Sequence, residues 1–154
     1  MKAVRLFAAL CACVLADLAP LSRAEAREVD PEHCLALTMY FEARAEGHHG
    51  MLAVASVVLN RVRHSQFPDT VCEVVKQGGE SPPCQFSWWC DGKSDMPTEA
   101  RPWWRAQALA RAILRQPPYD STAGALFFHA DYIAEPWRLP RTRTVQIGRH
   151  IFYR

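Results

Sequence analysis

The stretch that decides the fold reads DPEHCLALTMYFEARAEG and runs from Asp30 to Gly47. Asp30 is a good N-cap, Pro31 suits the first helical position, and Gly47 is the kind of residue that follows a helix C-terminus. The residues between them are apolar on almost every face, which is typical of a helix buried in a core. We therefore predict a buried helix over residues 31–46.

One carboxylate, Glu42, lies on the apolar side of this helix. At 100° per residue it shares a stripe with Leu35, Thr38 and Met39. An ionised carboxylate is costly to bury without partners, so such a group raises its pKa or is paired. A carboxylic acid that stays protonated near neutral pH is what general-acid catalysis needs. Glu42 is therefore a candidate catalytic acid, and the alternative is a structural ion pair with Arg44 or another base.

The N-terminus has the three-part pattern of a cleaved signal peptide. Lys2 and Arg5 precede an apolar stretch over 6–16 that is too short to span a bilayer, and Ala24-Glu25-Ala26 fits a cleavage site. We expect residues 1–26 to be a signal peptide and 27–154 to form one domain. No later stretch is apolar enough to cross a membrane. We expect a monomer that is exported to the periplasm, the cell envelope or the cell exterior.

Charge and cysteine content narrow the function further. Without residues 1–26 the chain carries 15 Lys and Arg against 14 Asp and Glu, a balance that gives no reason to expect nucleic acid as a partner. Four cysteines remain, and an even number in an exported chain suggests two disulfides, with three possible pairings. Cys84 and Cys90 would close a short loop, which leaves Cys34 to tie the first helix to Cys72.

A zinc site is the competing interpretation of these cysteines, because His33, His48 and His49 are also present. Neither cysteine pair has C-x-x-C spacing, and the histidines lie in unrelated contexts, so we expect no metal and no cofactor.

Helical and extended patterns alternate along the rest of the chain, and a capping box, Thr70 to Glu73, opens a short helix. The fold class is α+β, mostly helical. We predict helices over 50–63, from 71, and from 98 or 102 to 115, a loop over 80–97, a strand over 125–130 and a hairpin over 142–153.

Carboxylates and loop aromatics together favour a carbohydrate substrate. Glu46 lies four residues after Glu42, so each would disfavour ionisation of the other. A glycosidase needs a protonated acid at the leaving oxygen of the glycosidic bond. Aromatic side chains can stack on sugar faces, although each alone is more often core packing. The loop aromatics are Phe86, Trp88, Trp89, Tyr132 and Trp137.

The chain resembles the SleB/CwlJ-type cell-wall hydrolases over nearly all of residues 34–153. Its longest matching segments are Cys34 to Glu46 and Ala53 to Val62. The shorter ones are Phe67 to Cys72, Cys84 to Ser87, Cys90-Asp91-Gly92, Phe128-His129-Ala130, Pro136-Trp137 and Ile147 to Tyr153.

This resemblance implies a lysozyme-like variant fold with a small C-terminal hairpin or sheet, and peptidoglycan glycan strands as the partner. It implies lytic transglycosylase chemistry at the MurNAc–GlcNAc linkage, with Glu42 as the catalytic acid of the Glu-Ala-Arg-x-Glu motif. Ala45 replaces the usual glycine of that motif. The residues predicted to bind substrate are Glu46, Gln85, Phe86, Ser87, His129, Tyr132 and Trp137.

Two other functions stay open at this point. A true muramidase would activate water with a second carboxylate, for which Asp91 and Asp95 are candidates. A peptidoglycan-binding domain without catalytic activity would share the same loop aromatics.

Overall fold

Five helices and three strands make up the part of the chain that this computed structural model describes, residues 30–134, 137 and 139–154. The predicted signal peptide, residues 1–26, and Pro136 lie outside the described residues. The elements are α1 (Pro31–Ala43), α2 (Gly47–Val62), α3 (Val71–Lys76), α4 (Ser87–Cys90), α5 (Ala100–Arg115), β1 (Phe127–Ala130), β2 (Arg143–Ile147) and β3 (His150–Tyr153).

Helix α1 forms the centre of the core, as its apolar sequence predicts. Asp30 caps it by accepting a hydrogen bond from the Glu32 amide at 2.9 Å. Every residue from Cys34 to Tyr40 is buried, and each large apolar side chain in that run contributes roughly 1.5–3 kcal/mol to stability. The helix ends at Ala43, earlier than predicted, because Arg44–Glu46 tighten into a 3₁₀ turn.

Helices α2 and α5 both pack against α1. Helix α2 begins at Gly47, three residues before the predicted start, and its first turn lies close to the 3₁₀ turn. A Cβ atom at Gly50 would overlap the Glu46 side chain, so glycine permits this approach. The Tyr40 hydroxyl accepts hydrogen bonds from the amides of Thr98 and Glu99, both at 3.0 Å, and so holds the start of α5 against α1.

Both predicted disulfides are present. Cys34–Cys72 joins α1 to α3, while Cys84–Cys90 brackets the turn that contains α4. The capping box at α3 is also confirmed, since Thr70 Oγ1 accepts from the Glu73 amide at 3.3 Å. Within the described residues, no group of three His, Cys, Asp or Glu side chains is arranged to hold a metal ion.

The C-terminal sheet is antiparallel with strand order β1-β3-β2. Gly148, with φ 58°, makes the turn of the predicted β2–β3 hairpin. Phe152 packs with Ala53 and Val57, so the sheet covers the face of α2 that points away from α1. The α+β class, mostly helical with a small C-terminal sheet, is confirmed.

Side chains at the end of α2 fix the segment that leads into the sheet. Asn60 Nδ2 donates to Asp120 Oδ2 and to the Ala125 carbonyl, both at 3.0 Å. None of the helices in the described ranges is both long enough and apolar enough to span a bilayer.

Candidate active site

Glu42 lies in the last turn of α1, where the buried helix reaches a cleft. The cavity beside it has a volume of about 390 Å³ and is lined by Phe41, Glu42, Arg44, Ala45 and Glu99. Burial raises the pKa of Glu42 to about 7, and the positive charge of Arg61 partly opposes that rise. No described residue donates a hydrogen bond to this carboxylate. A carboxyl group with this pKa is protonated in about half of the molecules at neutral pH, as a general acid requires.

Arg61 is the buried cation that faces this carboxylate. It sits near the end of α2 and is 4% exposed, and its Nε donates to the Leu126 carbonyl at 2.7 Å. Its guanidinium lies over the rings of three phenylalanines, with distances to the ring centroids of 5.2 Å for Phe67, 5.4 Å for Phe86 and 5.6 Å for Phe127. Burial lowers the pKa of Arg61 to about 10, so it is still charged at neutral pH.

Other carboxylates lie near the cleft but differ from Glu42 in their partners. Glu99 shares the cavity with Glu42, yet its Oε1 is 2.8 Å from Arg44 Nε in an ion pair. Asp91 and Asp95 line a neighbouring cavity of about 250 Å³ together with Phe41 and Trp88. The Phe41 and Trp88 rings are stacked, with centroids 5.1 Å apart, and form an aromatic wall there.

A third cavity, of about 320 Å³, lies beside Arg61. It is lined by Arg61, Cys84, Gln85, Phe127, Phe128, Trp137 and Arg141, and we call it the arginine cavity. The Arg141 guanidinium lies 3.4 Å from the centroid of Phe127. This cavity brings together two of the residues predicted to bind substrate, Gln85 and Trp137, with two cations.

Glu46 lies at the sheet and not in the cavity of Glu42. Its Oε2 accepts a hydrogen bond from the Arg149 amide at 2.9 Å, and a Cβ at Gly148 would overlap the same oxygen. Glu46 therefore holds the β2–β3 turn against the segment that follows α1. In this position Glu46 connects the end of α1 to the sheet, which is a structural role.

The other predicted binding residues are dispersed. Phe86 is 2% exposed and packs in the core behind Arg61. Its ring fills space in the core and is therefore not accessible to a ligand. Ser87 is exposed at the start of α4 and does not line any of the three cavities described above. His129 is buried, with Nδ1 2.8 Å from the Ala130 carbonyl and Nε2 2.9 Å from the Tyr153 hydroxyl. Tyr132 is exposed, and the Arg149 guanidinium lies over its ring at 5.1 Å.

Three features of the site are not predicted from the sequence. They are the effect of the Arg61 charge on the pKa of Glu42, the stacked rings of Phe41 and Trp88, and the presence of Arg141. Arg61 also has a structural role, because its hydrogen bond to the Leu126 carbonyl fixes the segment that leads into β1. Its spacing carried a further signal, because Arg61 follows Val54 by seven residues and Val58 by three on the buried stripe of α2. A cation on a buried stripe indicates a nearby anion or a site for one.

Ala45 occupies the 3₁₀ turn beside Glu42 and is exposed. Its backbone φ is not positive, so alanine causes no strain where the related motif has glycine.

The chain is similar to proteins of a known family. Residues 45–153 match the cell wall hydrolase family, a match that begins just after Glu42. Spore cortex-lytic enzymes of Bacillus subtilis (strain 168) and Oceanobacillus iheyensis are each 34% identical over 119 residues, which is 77% of this chain and 35% and 39% of those proteins. The chain thus spans little more than a third of the length of these curated relatives.

Solved structures agree with the sequence match. The catalytic domain of the germination-specific lytic transglycosylase SleB from Bacillus anthracis superposes with a TM-score of 0.63 at 29% identity, covering 84% of this chain and 98% of that domain. The catalytic domain of the Bacillus cereus SleB protein gives 0.59 at 28% identity, with coverages of 80% and 90%. On sequence and fold together, the chain belongs to the cell wall hydrolase family of enzymes.

Proposed function

We propose that this protein is an exported peptidoglycan lytic transglycosylase that cuts the β-1,4 bond between MurNAc and GlcNAc. The observation that carries the proposal is the position of Glu42, whose pKa of about 7 keeps a proton available in a cleft near neutral pH. The likeness to a catalytic domain described as a lytic transglycosylase supports the same chemistry.

Glu42 serves in turn as acid and base in this mechanism. The protonated carboxyl gives its proton to the glycosidic oxygen while the C1–O bond breaks and C1 of MurNAc acquires oxocarbenium character. The resulting carboxylate then removes the proton of the 6-hydroxyl of the same sugar, and O6 bonds to C1. The products are a 1,6-anhydroMurNAc end and a free GlcNAc 4-hydroxyl, and Glu42 is protonated again.

Arg61 stabilises the intermediate state of this cycle. Its positive charge favours the ionised form of Glu42, which exists only after the proton has left for the leaving group. An interaction that strengthens as the reaction proceeds lowers the barrier and not only the energy of the bound substrate.

The arrangement of the other carboxylates supports transfer to the sugar's own hydroxyl over hydrolysis. A muramidase of the usual kind needs a second carboxylate across the scissile bond. Glu99 shares the cavity of Glu42 but is paired with Arg44, and Asp91 and Asp95 line the neighbouring cavity. The internal 6-hydroxyl requires no such partner, since Glu42 alone serves both steps.

Mass spectrometry of digested sacculi tests the proposal. Wild-type protein should release muropeptides that are lighter by one water than hydrolytic products, and Glu42→Gln should release none while keeping its fold and its binding to sacculi. Asp95→Asn and Glu99→Gln serve as matched controls, each removing one negative charge near the cleft, and both should still give anhydro products.

Other outcomes would assign a different function. Products without the anhydro end, together with loss of activity in Asp95→Asn, would identify a muramidase. Binding to sacculi without release of fragments would identify a binding domain. The export proposal is tested by sequencing the N-terminus of the mature protein, which should begin at Arg27.

A further inference from the structure

The arginine cavity holds two guanidinium groups and no acidic side chain among its described lining residues. Arg61 Nη1 and Arg141 Nε are both buried and have no hydrogen-bond partner among the described residues. The two cations are close enough that Arg141 contributes to lowering the pKa of Arg61. Like charges held together with unpaired donors are costly unless an anion joins them.

The other walls of the cavity suit a sugar that carries such an anion. Trp137 offers an aromatic ring, and Gln85 is exposed beside it with an amide that can both donate and accept hydrogen bonds. Guanidinium groups bind carboxylates through paired N–H donors, which gives direction as well as affinity. The cavity thus combines a flat apolar surface, a neutral polar group and a carboxylate-binding pair.

We propose that the arginine cavity binds a carboxylate carried by the muramyl residue of the glycan. The carboxylate belongs to the lactyl group where the sugar is bare, and to the stem peptide where one is attached. This inference rests on the proposed function, and it names the part of the substrate that this side of the site recognises.

Binding of this carboxylate would determine which of the two alternating sugars lies next to Glu42. A glycan strand alternates two sugars that differ in the lactyl substituent, and an enzyme that forms an anhydro ring on MurNAc must bind the strand in one of two registers. Arg61 lines the arginine cavity, and its charge also acts on Glu42. A muramyl carboxylate bound by Arg61 therefore fixes the position of MurNAc relative to the acid and selects one of the two registers.

Binding measurements on the Glu42→Gln protein test this without cleavage. The ligands are amidase-stripped glycan strands with free lactyl carboxylates, peptide-bearing strands, stripped strands whose carboxylates have been amidated with carbodiimide, and chitooligosaccharides. The Glu42→Gln protein should bind at least one of the first two about tenfold or more tightly than the last two, an expectation for paired charged hydrogen bonds.

Arg141→Gln should remove most of that preference, and Arg143→Gln is the matched control. Arg143→Gln removes the same charge from strand β2, where the Arg143 side chain is exposed and, among the described residues, donates only to Gln146 Oε1, at 2.9 Å. Arg141→Lys keeps the charge without the paired donors and should retain part of the preference, which guards against loss of binding through misfolding of Arg141→Gln.

Preference for stripped strands assigns the lactyl carboxylate, and preference for peptide-bearing strands alone assigns the stem peptide. Equal binding of all four ligands, or equal effects of Arg141→Gln and Arg143→Gln, would overturn the inference. The proposed function is judged separately, because the wild-type protein either forms anhydro products from sacculi or does not.

Discussion

Glu42 and Arg61 each shift the pKa of the other against the effect of burial. Burial raises the pKa of the Glu42 carboxyl and lowers that of the Arg61 guanidinium, and the attraction between their charges opposes both changes. The net result is an acid with a pKa of about 7 beside a cation that stays charged. The two groups come from different helices, so this pairing exists only in the folded protein.

The first prediction concerns the pH dependence of cleavage. If Glu42 is the acid, its titration should leave kcat/KM on purified glycan strands constant below pH 7. Above pH 7, kcat/KM should fall by about tenfold per pH unit, because the carboxyl loses its proton. Initial rates of release between pH 5 and 9 measure this. A rate that rises with pH through neutrality would mean that Glu42 must be ionised to act, contrary to the proposed mechanism.

The second prediction concerns stability. Because the pKa of Glu42 is raised on folding, the folded protein binds more protons than the unfolded chain between about pH 4.5 and 7, so the free energy of unfolding falls as pH rises through that window. Glu42→Gln removes the ionisable group. It should raise the free energy of unfolding by roughly 1–3 kcal/mol at pH 8 and by little at pH 4, the lower end allowing for solvent in the cleft.

Urea denaturation at the two pH values measures this difference. Glu80→Gln is the control, since Glu80 is exposed in the loop before α4 and its replacement should change stability by less than about 0.5 kcal/mol. An equal effect of both substitutions at pH 8, or a Glu42→Gln protein that is less stable than wild type there, would contradict the assignment of a destabilising buried carboxyl.

Local patterns are enough to predict most elements of the fold and to identify Glu42 as a candidate acid. The N-cap and apolar run of α1, the capping box at Thr70 and the hairpin turn at Gly148 are set by residues a few positions apart, so the sequence displays them directly. The boundary between α1 and α2 differs from the prediction, because the 3₁₀ turn that separates the two helices depends on packing between Glu46 and Gly50.

The walls of the site could not be predicted in the same way. Phe127, Trp137 and Arg141 lie far along the chain from Arg61, and their meeting depends on how the sheet docks on α2. Phe86 illustrates the converse: its place in an aromatic loop suggests a sugar-binding ring, but the fold uses it to fill the core behind Arg61. Periodicity distinguishes helix from strand and cannot decide which loop aromatic faces solvent.

The third prediction separates the two disulfides by their effects. Cys34–Cys72 closes a segment with a sequence separation of 38 and Cys84–Cys90 one of 6, so loop entropy predicts losses of about 4 and 2 kcal/mol when each is removed. Cys84, however, lines the arginine cavity, and Gln85 follows it. Replacing Cys84 and Cys90 with serine should therefore cost less stability but raise KM more than replacing Cys34 and Cys72.

Urea denaturation and initial rates on the same two double variants test this, at a temperature where both are folded. An increase in KM that tracks the loss of stability, and is therefore larger for the Cys34–Cys72 pair, would show that the short disulfide does not shape the binding site.

The fourth prediction concerns the contact between Glu46 and the hairpin turn. Gly148→Ala should destabilise the protein for two reasons: Gly148 has φ 58°, and a Cβ there would overlap Glu46 Oε2 and disturb its hydrogen bond to the Arg149 amide.

Gly92→Ala is the matched control, because Gly92 has φ 72° but no atom within 4 Å of an added Cβ. We expect Gly148→Ala to cost roughly 1–2 kcal/mol more than Gly92→Ala in urea denaturation, because the steric overlap and the lost hydrogen bond between Glu46 and the Arg149 amide add to the backbone strain that both variants share. In a Glu46→Ala background the overlap disappears, so the difference between the two alanine variants should shrink. A difference that persists without Glu46 would show that the turn is held by its own backbone and not by the Glu46 carboxylate.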